Sequence, residues 1–95
     1  MSGGTFEAIL GENVSATQAG VRWSGGKTVF AMNRTSTGTG KVQVTGPDGA
    51  TWIDVPNLTA TNADAFIEGD LPPGTYRLNV SSLTGVYAKL IRVPG

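Results

Sequence analysis

Polar and apolar residues alternate along most of this chain with the two-residue period of a β-strand. The run Thr75-Tyr76-Arg77-Leu78-Asn79-Val80-Ser81 shows it most clearly: Tyr76, Leu78 and Val80 share one face, Arg77 and Asn79 the other. Val42 and Val44 point to one side of Lys41–Thr45 in the same way. Turn signals interrupt these runs at roughly 8–12-residue spacing: Gly11, Ser24-Gly25-Gly26, Gly38–Gly40, Pro47-Asp48-Gly49, Pro56-Asn57, Pro72-Pro73-Gly74 and Thr84-Gly85. No window keeps the three-to-four spacing of an amphipathic helix. The pattern therefore predicts an all-β protein, a small antiparallel β-sandwich or jelly-roll-like barrel of about 7–8 short strands.

Local chemistry suggests how some strands join. Pro47 presets φ and Asp48-Gly49 suits the positions that follow, which predicts a hairpin between Lys41–Thr45 and Thr51–Val55. A second hairpin is expected from Val21–Trp23 to Lys27–Met32 across Ser24-Gly25-Gly26, and Leu71-Pro72-Pro73-Gly74 reads as a rigid corner before the Tyr76 strand. Val29-Phe30-Ala31-Met32 is apolar on both faces, as a central strand would be. Val86–Val93 is two-faced as well, with Val86, Ala88 and Leu90 on one side and Tyr87, Ile91 and Val93 on the other. That fits either a second contact surface or a mid-sheet strand lying under a loop.

The stretch RTSTGTGK resembles a phosphate loop only in passing. The required upstream Gly is Thr35, Val42 stands where a magnesium-binding Ser or Thr belongs, and a strand follows instead of a helix. It is read as a turn. Among 95 residues there is no Cys and no His, which removes disulfides, thiolate and imidazole metal sites, and histidine-based catalysis. A domain this small usually needs extra support, so association with copies of itself or with a larger partner is expected.

Seven basic and seven acidic residues cancel and are spread along the chain, with no basic stripe for nucleic acid. No apolar run is long enough to span a membrane. MSGGTFEAILGENVSATQAG lacks the features of a signal peptide, so synthesis in a reducing cytosol is expected. The Asn-x-Ser/Thr triplets at Asn13, Asn33, Asn57 and Asn79 are read as compositional.

Candidate chemistry is sparse. Asn62–Asp70 gathers acidic residues, but their spacing matches no calcium loop. Asp48 with Asp54, or Glu68 with Asp70, could be drawn as an acid/base pair, yet a small sandwich offers little depth to shift a carboxylate pKa. Trp23 and Trp52 could stack on sugars, although packing in a core or interface explains them more simply. Either Trp52 and Asp54 face outward or their strand is bulged. The expectation is a non-enzyme with no cofactor and no metal, acting by adhesion.

The segments GKVQVTGPDGATWIDVPNL, LPPGTYRLNVSS and GVYAKLIRVPG, with GVRWSGGKTVFAM before them, resemble small proteins encoded among the structural genes of tailed bacteriophages. The likeness runs from about Gly20 to Gly95. It implies a virion component, made in the host cytoplasm, and most nearly a capsid cement (decoration) protein. Such a protein sits on the outside of the head, often as a homotrimer, and holds major capsid protein subunits together. The alternative it leaves is a tail, fibre or neck module that touches host carbohydrate. On this reading residues 1–10 form an arm plus first strand, with Met1–Gly4 mobile and Phe6, Ile9 and Leu10 contacting the shell. Residues 11–95 form the sandwich, with Trp52, Tyr87, Ile91 and Val93 as subunit contacts.

Overall fold

The computed structural model describes residues 7–93. Eight strands fill most of that span: β1 Glu7–Val14, β2 Val21–Trp23, β3 Gly26–Asn33, β4 Thr39–Thr45, β5 Trp52–Thr61, β6 Ala65–Leu71, β7 Gly74–Ser81 and β8 Val86–Arg92. They make two four-stranded antiparallel sheets, A in the order β1-β8-β3-β6 and B in the order β2-β7-β4-β5. Every connection except β4–β5 changes sheet, which is the strand order of an eight-stranded jelly roll.

The alternation of residues places the core between the sheets. Phe30, Trp23, Val42, Tyr76, Leu78 and Leu90 are at most 1% exposed, and Val86 joins them from β8. β3 is central in sheet A, flanked by β8 and β6, which explains its two apolar faces: Phe30 and Met32 point into the core while Val29 is buried on the outer side. The β4–β5 hairpin forms as the residues predict, with Thr45 opposite Trp52 and Val44 opposite Ile53. Asp48 ties its turn by accepting from the amides of Ala50 at 2.9 Å and Thr51 at 2.8 Å and from the Thr51 hydroxyl. The Thr51 hydroxyl and these amides hold the Asp48 carboxylate at a pKa of about 2.

The expected hairpin across Ser24-Gly25-Gly26 does not form. β2 pairs with β7 in sheet B and β3 pairs with β6 and β8 in sheet A, so this short link is a crossover. Gly25 makes it possible: its φ is 84°, and a Cβ there would sit 2.6 Å from the Pro73 nitrogen and 2.8 Å from the Leu71 oxygen. The Leu71–Gly74 corner, a crossover too, therefore packs directly on the Ser24–Gly26 one. Tyr76 holds that corner by donating its hydroxyl to the Pro72 oxygen at 2.6 Å, and burial pushes the phenol pKa up. A buried bond joins the sheets at the same end, Trp23 Nε1 to Thr28 Oγ1 at 3.0 Å.

Two further turn signals lie inside strands. Gly11 belongs to β1, where the register shifts between Ile9 and Gly11 and again before Val14. Pro56-Asn57 belongs to β5, as part of an irregularity opposite Val42, with Asn57 at φ 70°. Asn13 at φ 54° plays the corresponding part in β1. Asparagine tolerates this left-handed conformation better than most residues, which suits it to both positions. β1 also runs across the boundary expected at residue 10, so residues 7–10 are part of the sandwich. The mobile arm expected at Met1–Gly4 lies outside the described residues.

Candidate functional site

Side chains on the outer side of sheet A are arranged by cross-strand pairing. Ile9 lies opposite Lys89, Lys89 opposite Ala31, and Ala31 opposite Phe66, so these four form a row across all four strands. Asn33 and Tyr87 make the next step along β3 and β8, and Glu7, Ile91, Val29 and Glu68 lie across the face on the other side of the row. Ala31 has no bulk beyond Cβ. It leaves a depression of about 480 Å³ whose borders include Ile9, Phe66, Tyr87 and Lys89.

The borders of that depression are unusually bare for their size. Phe66 is 77% exposed, Tyr87 46% and Ile9 42%. Scattered apolar side chains on a surface need no explanation, but three large ones around one hollow make a contiguous patch of the kind that marks contact sites. Lys89 reaches along the face to the Glu7 carboxylate at 3.4 Å, an exposed pair worth little energy that keeps a cation beside the apolar border.

The outer side of sheet B has the opposite character. Asp54 accepts from Gln43 Nε2 at 2.8 Å and pairs with Lys41 Nζ at 3.1 Å, and Arg77 Nε donates to Gln43 Oε1 at 2.8 Å. The Gln43 hydrogen bond first, and Lys41 second, hold the Asp54 carboxyl below its usual range. Arg77 also lies 4.3 Å over the Trp52 ring. Polar groups here satisfy one another and leave little for a partner.

Sequence-predicted contact residues divide accordingly. Ile9, Tyr87 and Ile91 come together on the outer side of sheet A. Val93 lies one residue beyond β8, half-buried, with its amide bonded to the Lys27 oxygen at 2.8 Å. Leu10 is corrected: it is 2% exposed and packs in the core, because alternation along β1 puts it on the same inward side as Ala8 while Ile9 faces out, so it has no surface to offer a shell. Trp52 faces outward, the first of the two possibilities for its strand, but on sheet B, away from the others. The strand is bulged too, further along. Phe6 lies outside the described residues.

Phe66 was not among the predicted residues, although a signal for it exists. It stands in phase with Glu68 and Asp70, the wet side of β6, while Ala65, Ile67 and Leu71 occupy the buried phase. An aromatic residue in the wet phase is the anomaly.

Other candidates resolve into structural roles. Trp23 is fully buried, so it cannot stack on a sugar. Trp52 has the Arg77 guanidinium on one ring face and Gly20 against its edge, where a Cβ would come 2.7 Å from Cη2. Asp48 caps a turn and Asp54 belongs to the sheet B network. RTSTGTGK is a clasp between loops: Thr35 and Ser36 bond the Thr84 backbone, and Gly38 exchanges bonds with Asn62. Among the described residues no three acidic groups converge as metal ligands would.

No protein-family model matches the chain, and no curated protein or solved structure matches it at a significant level.

Proposed function

We propose that this chain is a bacteriophage structural protein, a capsid cement (decoration) protein that binds the outside of the head and stabilises contacts between major capsid protein subunits. The observation that carries the reading is the apolar hollow on sheet A, bordered by Ile9, Phe66 and Tyr87, set on a chain whose turn and strand motifs resemble phage structural proteins. The jelly roll supports it at the level of architecture, since viral capsid domains use this fold, although lectin domains do so too.

The physics of the task matches the molecule. A clamp needs a rigid body and a sticky face, and it stabilises whatever assembled state it binds by mass action. Burying the exposed parts of three large apolar side chains supplies a few kcal/mol for each copy. Symmetry repeats that gain around a shell, and a homotrimer at a three-fold position would place three such faces across subunit joints.

The alternative, a tail, fibre or neck module for host carbohydrate, needs an open aromatic platform. Trp52 would be that platform, and Arg77 already occupies one of its faces. The deciding experiment locates the protein on purified particles of the source phage by gold-labelled antibody, alongside binding to empty expanded heads. Label on the head surface, with heads that burst sooner without the protein, is the expected result. Label on the tail, or saturable glycan binding abolished by Trp52→Ala, would replace this reading with the alternative.

A further inference from the structure

A sandwich of two open sheets has four edge strands, and an unpaired edge is a template for another chain. Three of the four are blunted here. β2 is only three residues long. β1 breaks register twice and carries Asn13 at φ 54°. β5 breaks register and contains Pro56, which has no amide hydrogen, beside Asn57 at φ 70°.

β6 has none of these defences. It pairs with β3 without a shift from Gly26–Leu71 to Met32–Ala65, and it holds no residue at positive φ. Among the described residues no strand pairs with its other side. Alternate residues of such an edge aim their N–H and C=O groups outward, so Ala65–Leu71 offers a straight row of backbone partners. Phe66, Glu68 and Asp70 are exposed on its outer face, and Ile67 packs against the rim of the core.

Charge indicates the occupant. The ion pairs among the described residues are Arg34–Asp64, Lys41–Asp54 and Lys89–Glu7, so Glu68 and Asp70 make none. Glu68 faces Val29 across the pair, and Asp70 faces Lys27 without closing a bridge. A second copy is a poor match, because full antiparallel pairing of β6 with itself sets Glu68 against Glu68, and like charges directly opposite destabilise a sheet. An extended segment with basic residues in the outer phase and apolar residues in the inner phase satisfies both acids and covers Ile67.

We propose that the free edge of β6, Ala65–Leu71, is a strand-addition site for an extended segment of a partner protein whose alternate residues are Lys or Arg. Backbone bonds give such a site its grip and alternate side chains its choice of partner. The inference goes beyond the head placement and does not depend on it, since it concerns what the edge accepts and not where the protein sits.

The test uses the ¹⁵N-labelled full chain and two synthetic peptides, one alternating lysine with valine and one alternating glutamate with valine. The lysine peptide is expected to slow hydrogen exchange at outward amides of residues 65–71. It should bind about tenfold more tightly than the glutamate peptide, the effect of two cross-strand charge pairs. In the Glu68→Gln/Asp70→Asn variant, which removes both charges without setting a like charge against Lys27, the preference for the lysine peptide should disappear, with the urea midpoint little changed. Equal binding of the two peptides by the wild-type chain overturns the proposal, as does protection confined to β1 or β5. Binding without any protection of β6 overturns it too, because charge alone would then explain the affinity. Dimerisation of the free protein through β6 assigns the edge to a second copy and also overturns it.

Discussion

Replacing Thr28 with Val isolates the one buried side-chain hydrogen bond that links the two sheets among the described residues. Thr28 is 1% exposed and Trp23 0%, so no water replaces a lost bond at the indole. The Trp23 Nε1–H donates to Thr28 Oγ1 at 3.0 Å, and that hydroxyl donates onward to the Gly26 oxygen at 2.9 Å. Valine has nearly the shape of threonine, which leaves packing intact and removes only the hydroxyl. The Gly26 oxygen belongs to an exposed residue and can turn to water. The indole N–H cannot, and an unsatisfied buried donor costs about 1–3 kcal/mol. At about 4–8 °C per kcal/mol for a domain of this size, a cost near 2 kcal/mol lowers Tm by roughly 8–16 °C. Thr28→Ser keeps donor and acceptor and loses one methyl, about 1 kcal/mol. Urea unfolding followed by tryptophan fluorescence should rank wild type above Thr28→Ser and Thr28→Ser above Thr28→Val, with a common slope. A Thr28→Val variant as stable as wild type, or more stable than Thr28→Ser, refutes the argument that this bond matters.

Tyr76→Phe keeps the buried ring but frees the Pro72 oxygen, and it should cost about 1 kcal/mol, read as a Tm lower by about 4–8 °C. Gly25→Ala and Gly49→Ala impose similar strain, at φ 84° and 74°, but only Gly25 is crowded. Gly49→Ala should therefore cost about 1–2 kcal/mol and Gly25→Ala about 3 kcal/mol or more in chemical denaturation, and equal costs would contradict the packed crossover. Asp48 has a folded pKa of about 2, below the ordinary 3.8, so the stability it contributes is present above pH 3.8 and is lost as pH falls through about 2. The Tm gap between wild type and Asp48→Ala should be steady near neutrality and close across that acid window; a gap independent of pH would show that the carboxylate charge is not what the turn uses.

What could be read directly from the residues was whatever depends on near neighbours. Alternation in Thr75–Ser81 assigned Tyr76, Leu78 and Val80 to the buried face correctly because the strand period is local. Asp48-Gly49 announced its hairpin because turn chemistry is local too. Ser24-Gly25-Gly26 misled for the same reason: its letters suit a hairpin, and only the distant Pro72-Pro73 pressing on Gly25 makes it a crossover. Pro56-Asn57 likewise reads as a turn until Gln43 and Lys41 hold the same strand on either side of it. The contact face was half legible. Tyr87 and Ile91 were visible as the second face of β8, whereas Ile9 and Leu10, adjacent apolar residues, stand on opposite faces of β1, and only the packing of Ala8 on the core shows which of the two turns inward. Phe66 joins Ile9 only through two intervening strands, β8 and β3, so their proximity is a product of sheet order.

On the proposed function, the outer side of sheet A is the face that holds a partner. Phe66 is 77% exposed, so covering it removes on the order of 150 Å² from water, about 2–4 kcal/mol, and Tyr87 adds a smaller amount. If the chain is a capsid cement protein as proposed, comparing wild type with Phe66→Ala/Tyr87→Ala for binding to empty expanded phage heads, with Tm recorded for both, tests this face. Affinity reduced about 100-fold or more at an unchanged Tm is the predicted result. Undiminished binding by a folded double variant would contradict it.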